Sequence, residues 1–139
     1  AKKGTRIVCG GSTSHIVSEY LGKPIELLQG SGDAEVPDMA HIDGIDLVTE
    51  GVITLQKTLE LCDYIEKNPT QVLTLGHRPH ELLYRELFIK STNINIFFGT
   101  ASNVAHANTS ISFENKLSSI KLLHDKLEKA GKIVRIQYY

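Results

Sequence analysis

The chain has 139 residues, of which 41% are hydrophobic and 22% charged, and its formal net charge is −1. This size and composition indicate a single globular domain over residues 1–139 with one core. The balanced charge gives no electrostatic reason to expect nucleic acid or an anionic membrane as a partner. No apolar run approaches the roughly 20 residues of a membrane span, and no signal peptide is visible.

The two cysteines and the first residues bear on where the protein works. Cys9 and Cys62 each lie in an apolar pattern, which favours a reducing, cytoplasmic setting without disulfides. The chain begins Ala-Lys-Lys without Met, and we interpret it as an accessory domain of a longer protein.

Two kinds of apolar pattern alternate along the chain. Short β-prone runs predict strands, and apolar residues repeated every three or four positions predict amphipathic helices. The predicted strands are residues 5–9, 25–28, 45–48, 94–98 and 132–139. The predicted helices are one that ends at Gly22, one over residues 52–67, one from near Pro79, and one over residues 113–130. Residues 29–44 are rich in Gly, Asp and Pro and are predicted to form a long loop.

This alternation predicts the fold class. Strands that alternate with helices favour a mostly parallel sheet, because parallel neighbours need long crossover connections. We therefore predict a single three-layer α/β domain, with about five strands in one sheet and helices on both faces. Ligands bind such folds at the carboxyl ends of the strands.

Three turns share one design. "VCGGSTS", "LVTEGVIT" and "FFGTASN" each place glycine and a hydroxyl residue directly after an apolar strand. A helix that starts after such a turn offers free N–H groups, glycine allows close approach, and Ser or Thr adds a donor. We predict that an anionic small molecule binds there. The predicted ligand-binding residues are Gly10, Gly11, Ser12, Thr13, Ser14, Thr49, Glu50, Gly51, Gly99, Thr100, Ser102 and Asn103.

A structural interpretation of the same turns stays open. Ser12, Thr13 and Ser14 are also suited to capping a helix. Neither nucleotide-binding fingerprint, GxxxxGK[ST] or GxGxxG, is present in the sequence.

Two residues are candidates for catalysis. Glu50 follows a strand, where it could bind a sugar hydroxyl, a metal ion or a cationic group; alternatively it is an acid favoured by the dipole at a helix start. His106 follows the third turn and could serve as a general acid or base, or it could pack a loop with its ring bonded to the backbone.

The segment "GHRPHELL" raises a metal hypothesis through His77, His80 and Glu81. The H-E-x-x-H spacing of zinc proteases is absent, and Pro79 stands between the two histidines. We predict no metal site and interpret the segment as a helix start with a polar cap.

Three longer stretches, "KGTRIVCGGSTSHIVSEYLGKPIEL", "VPDMAHIDGIDLVTEGVITLQKTLE" and "FFGTASNVAHAN", occur in this order. Together they resemble the region that follows the catalytic domain in bacterial stage II sporulation protein E-like serine/threonine phosphatases of the PPM type. The resemblance implies a regulatory or small-ligand-binding domain whose partner is the parent phosphatase domain. It also implies Mn²⁺ or Mg²⁺ in the parent; we predict no cofactor in this chain.

The resemblance does not imply that this chain is itself catalytic. "DLVTEGVIT" is similar to the family's strand–Thr–Asp–Gly motif, with Glu50 in place of the aspartate. The neighbouring metal-binding aspartates are missing, and 139 residues are too few for the two-sheet catalytic fold. A metal-dependent hydrolase that uses Glu50 and Asp46 stays open as an alternative.

Two further alternatives stay open. The turns also resemble those of sugar-phosphate-sensing, isomerase-like folds, in which hydroxyl-rich turns hold a phosphorylated sugar. That likeness implies a pocket lined by Gly11, Ser12, Thr13, Thr49, Gly51 and Thr100. A third function is docking or self-association into a homo-oligomer, with the helix over residues 114–130 as the exposed face.

Overall fold

The computed structural model describes residues 5–98 and 109–138. The chain divides into two compact units, Ala1–Tyr84 and Arg85–Tyr139, called the first and second units below. The single domain expected over residues 1–139 stays a prediction. Within the described ranges, every helix is too short or too polar to cross a membrane.

The described part of the first unit contains four short strands, three α-helices and one 3-10 helix. Its elements are β1 (Ile7–Cys9), α1 (Gly11–Leu21), β2 (Glu26–Leu27), β3 (Ala40–His41), β4 (Leu47–Thr49), α2 (Val52–Lys67), a 3-10 helix (Pro69–Thr74) and α3 (Pro79–Tyr84). α1 ends at Gly22, whose φ of 66° is a left-handed conformation that glycine adopts readily. The predicted helix over residues 52–67 is confirmed by α2.

The sheet of the first unit is mixed. Its strand order is β1-β4-β3-β2; β1 pairs with β4 in parallel, whereas β3 is antiparallel to both β4 and β2. A separate two-stranded parallel sheet lies in the second unit. The predicted three-layer domain around one mostly parallel sheet of about five strands is therefore wrong.

The reason lies in residues 29–44, which were predicted to be a loop. Ala40 and His41 form β3 there, so residues 28–39 become the long turn of a β2–β3 hairpin. Only residues 42–46 connect β3 to β4, and a connection of that length is too short for the crossover that a parallel neighbour needs. β4 therefore pairs with β3 in the antiparallel direction.

A small apolar core fixes β1, β3 and β4. Val8, Ile42 and Val48 are buried together, and Ile42 is completely inaccessible to solvent. The partly buried residues that pack against them are Val17, Leu21, Ile25, Ala40 and Ile45. α1 thus contributes one apolar side to the core, whereas Ile16 on the same helix is 67% exposed.

α2 carries six buried residues. Its buried apolar side chains are Leu55, Leu59, Cys62 and Ile65, and α3 packs against it. Thr54 and Thr58 are also fully buried, and the Thr58 hydroxyl donates to the Thr54 carbonyl at 2.8 Å. That bond satisfies a polar group that would be costly to bury unpaired.

The second unit contains a π-helix (Arg85–Lys90), β5 (Asn93–Phe98), α4 (Thr109–Lys129) and β6 (Ile133–Tyr138). β5 and β6 pair in parallel over six residues, from Asn93 opposite Ile133 to Phe98 opposite Tyr138. The two rings at that end pack edge to face, with 6.1 Å between their centroids. α4 provides the crossover between these parallel strands and packs on β6.

We expect the core position of Ile42 to be decisive for stability. Ile42→Ala should lower the free energy of unfolding by about 2–5 kcal/mol, because it leaves a cavity where no solvent reaches. Ile16→Ala removes the same atoms from an exposed site and should change it by no more than about 0.5 kcal/mol. Urea denaturation compares the two variants, and equal losses would contradict the burial described here.

Candidate functional site

The turns after β1 and β4 lie side by side. Cys9 is opposite Thr49 in the parallel pair, and the N–H of Gly10 donates to the Thr49 carbonyl at 3.0 Å. Residues 10–14 and 49–51 therefore meet at the carboxyl ends of two neighbouring strands, the edge where α/β folds bind ligands. Ligand binding at these two turns stays a prediction.

The third predicted turn lies outside the residues that the structure describes. It comprises Gly99, Thr100, Ser102 and Asn103. His106, one of the two catalytic candidates, belongs to the same stretch. That these residues contribute to a ligand site stays a prediction.

The first turn is built around Gly10. Its φ of 115° is one that L side chains rarely adopt. Its carbonyl accepts the N–H of Ser14 at 2.9 Å and the Ser14 hydroxyl at 2.7 Å, so this buried hydroxyl is used within the turn. Ser12 and Thr13 are exposed instead.

The N-terminus of α1 carries free donors. Ser14 is the first residue of α1 whose N–H bonds back along the helix, and Gly10 provides no side-chain cap. Within the described residues, the N–H groups of Gly11, Ser12 and Thr13 have no hydrogen-bond partner. A Cβ added at Gly11 would meet no atom within 4 Å, so the space above the backbone there is open.

The N-terminus of α2 is occupied by its own chain. The Glu50 carboxylate accepts the N–H of Thr54 at 3.0 Å through Oε1 and that of Ile53 at 3.5 Å through Oε2. The Thr54 hydroxyl also donates to Oε1, at 3.3 Å. Because this carboxylate uses the amides that an anion would need, the two helix starts are not equivalent. A catalytic role of Glu50 stays a prediction.

The carboxylate proposed to act with Glu50 lies at the other end of β4. Asp46 precedes the strand and accepts the backbone N–H of Arg6 at 2.7 Å. The three residues of β4 lie between Asp46 and Glu50, so four extended steps separate their Cα atoms by roughly 13 Å. Over residues 5–98 and 109–138, the one group of three side chains spaced to hold a metal is in the second unit: His124, Asp125 and Glu128.

The segment with His77 and His80 starts α3. Glu81 accepts the backbone N–H groups of Gly76 and Arg78, each at 3.0 Å, and so caps the helix start. His77 is exposed, whereas His80 is only 7% exposed. The Nδ1 atom of His80 is buried and has no hydrogen-bond partner among the described residues.

His80 lies beside a charged groove that the sequence did not predict. The groove measures about 240 Å³ and lies between the β2–β3 turn, α2 and the start of α3. Its lining residues are Glu35, Lys57, Glu60, Leu61, Tyr64, Arg78 and His80. These residues come from three separate segments of the first unit, which explains why no local motif reveals them.

A tight ion pair holds one side of this groove. Nε of Arg78 lies 2.6 Å from Oδ2 of Asp33, while Oδ1 of Asp33 accepts the N–H groups of Glu35 and Val36 at 2.8 and 3.1 Å. The hydrogen bond with Arg78, followed by these backbone bonds, lowers the pKa of Asp33 to about 2. Asp33 therefore stays ionised and fixes the β2–β3 turn to the start of α3.

Comparisons with protein-family models, with curated proteins and with solved structures found no match. The resemblance to the sporulation-type phosphatases therefore rests on the three stretches of sequence quoted above and stays a prediction.

The buried His80 predicts a pH dependence. Burial, and secondly the nearby Arg78 cation, lower the pKa of His80 from 6.5. As the pH falls below 6.5, the unfolded chain binds a proton that the folded protein resists, so stability decreases. Asp33 loses its contribution only below its ordinary value of 3.8. We therefore expect His80→Gln to reduce the loss of stability between about pH 7.5 and about pH 5.5.

Urea midpoints at the two pH values measure this effect. His15→Gln replaces an exposed histidine of α1 and serves as the matched control. A His80→Gln protein that keeps the full pH dependence of the parent chain would contradict the assignment to His80.

Proposed function

We propose that this chain is a regulatory domain that binds a small anionic metabolite at the N-terminus of α1. The observation that carries the proposal is a set of three N–H groups, those of Gly11, Ser12 and Thr13, that have no partner in the described part of the chain and lie next to the turn after β4. A helix of this length adds a positive partial charge of roughly half an electron at that end. The exposed hydroxyls of Ser12 and Thr13 are further donors.

Gly11 supports a ligand rather than a purely structural role. No described atom lies within 4 Å of a Cβ built there, so packing against the described residues does not require glycine. A bare backbone does allow an anion to approach the amides closely. Because Glu50 already caps α2, the anion binds to α1 and not across both helix starts.

We further propose that the domain is accessory to a cytoplasmic PPM-type serine phosphatase, whose own catalytic domain uses Mn²⁺ or Mg²⁺. This part rests on the resemblance of the three quoted stretches. The geometry gives no support to the alternative in which the chain itself is the hydrolase, because β4 separates Glu50 from Asp46.

Titration with glucose 6-phosphate, followed by amide NMR signals, tests the binding. We expect the signals of Gly11, Ser12 and Thr13 to shift, because no described residue accepts a hydrogen bond from their N–H groups. Glucose, the matched uncharged ligand, should leave them in place, and inorganic phosphate separates recognition of the anion from that of the sugar. The absence of a shift with both phosphates would contradict the proposal.

Gly11→Ala separates function from stability. Alanine is at least as good a helix residue as glycine and meets no atom within 4 Å, so folding should be unaffected. Phosphate binding should weaken about tenfold, because the methyl group occupies the space above the amides. Ser118→Ala on the exposed side of α4 is the control for a small surface change. Unchanged phosphate affinity in Gly11→Ala would place the anion elsewhere.

A further inference from the structure

The groove beside His80 has rigid walls. The N–H of Asp33 donates to the carbonyl of Val36 at 2.8 Å, and the Val36 side chain is 1% exposed. A Cβ at Gly32 would lie 2.2 Å from the Val36 carbonyl oxygen, so this close turn requires glycine. These contacts fix the backbone of the β2–β3 turn, which places Glu35 beside Lys57 of α2.

The ion pairs of the groove are of two kinds. Arg78 and Asp33 are in direct contact at 2.6 Å. Lys57 lies between two carboxylates, with Nζ 3.3 Å from Oε2 of Glu35 and 3.5 Å from Oε1 of Glu60. Charged hydrogen bonds between nitrogen and oxygen are usually about 2.7–2.9 Å long, so the two Lys57 pairs are loose.

These pairs leave one negative charge in surplus. Asp33 neutralises Arg78, whose Nη2 lies 3.6 Å from Glu35, beyond hydrogen-bond distance. Two cations thus face three carboxylates, and the side chains of Glu35 and Glu60 are 63% and 67% exposed. The open side of the groove is therefore acidic, whereas its cations are more enclosed.

Two further side chains favour an organic cation over a metal ion. His80 is more than nine-tenths buried, lines the groove and keeps an unpartnered Nδ1 among the described residues. Burial and Arg78 both lower its pKa, so the ring is neutral at pH 7. The Tyr64 ring is half exposed at the same groove and can face a cation with its π system. In the described part of the chain, none of these groups belongs to a set spaced for a metal.

We propose that this groove binds a small organic cation with a primary ammonium or guanidinium group. The cation pairs with the exposed carboxylates of Glu35 and Glu60, and its carbon chain lies against Tyr64 and Leu61. The neutral His80 ring forms the inner wall. This site is separate from the α1 N-terminus and takes a ligand of the opposite charge.

NMR titration of the full chain with n-butylamine at low ionic strength tests the proposal. We expect shifts in the His80 ring signals and in the amides of Glu35 and Glu60, which weaken when salt is added. Uncharged 1-butanol, the matched ligand, should produce much smaller shifts. Glu60→Gln should raise the dissociation constant for n-butylamine about two- to fivefold, because Glu60 is exposed, whereas Glu26→Gln on β2 should leave it unchanged.

Four results would overturn the proposal. One is the absence of shifts at these residues with n-butylamine, and another is the same affinity in Glu60→Gln as in the parent chain. Stronger binding of inorganic phosphate than of n-butylamine would assign the groove to anions. A tripeptide with a central lysine that binds far more tightly than n-butylamine would replace the small molecule by a protein segment. Glu60 is exposed, so its variant should fold.

Discussion

The parallel pairing of β1 with β4 is the constraint on which the proposed anion site depends. Both strands are only three residues long, yet their pairing places Gly10 beside Thr49 and starts α1 and α2 from the same edge. Val8, Val48 and Ile42 hold this pair in register, because a shift by one residue would expose the side chains that form the core. The site is therefore positioned by apolar packing beneath it and not by contacts between its own polar groups.

The sequence predicted the elements better than their arrangement. α2 has apolar residues at regular helical spacing and a proline that follows Asn68, and these local signals set its bounds. β3 is two residues long, and so short a strand shows no periodicity that distinguishes it from the loop around it. Its presence reverses the direction of pairing along the sheet. Pairing direction is decided by the length of connections, which could be judged only once β3 was known.

Some features of the candidate sites could be predicted from local sequence signals, and others depend on tertiary contacts. Glycine and hydroxyl residues directly after β1 are visible in sequence, because the signal is local. The direction of the Glu50 carboxylate could not be predicted from the sequence. Its hydrogen bonds with Ile53 and Thr54 depend on how the chain enters α2. The groove is harder still to predict from the sequence, because its contacts are distant along the chain. Lys57 contacts Glu35, 22 positions away, and Asp33 contacts Arg78, 45 positions away. Asp33 and Glu35, two acids of the segment 29–44, gain these partners only through tertiary folding.

α2 links the two sites proposed in the first unit, which would take ligands of opposite charge. Its buried side, with Thr54 and Thr58 fully enclosed, fixes the helix, and its exposed positions then take partners from other segments. At its start, Glu50 accepts the N–H groups of Ile53 and Thr54, whereas those of Gly11, Ser12 and Thr13 on α1 have no partner among the described residues. At its middle, Lys57 neutralises one carboxylate where two are present, so an acid is left over. In both places the preferred ligand complements the group that remains after the chain has paired its own charges, because paired groups have already exchanged their hydration for protein contacts.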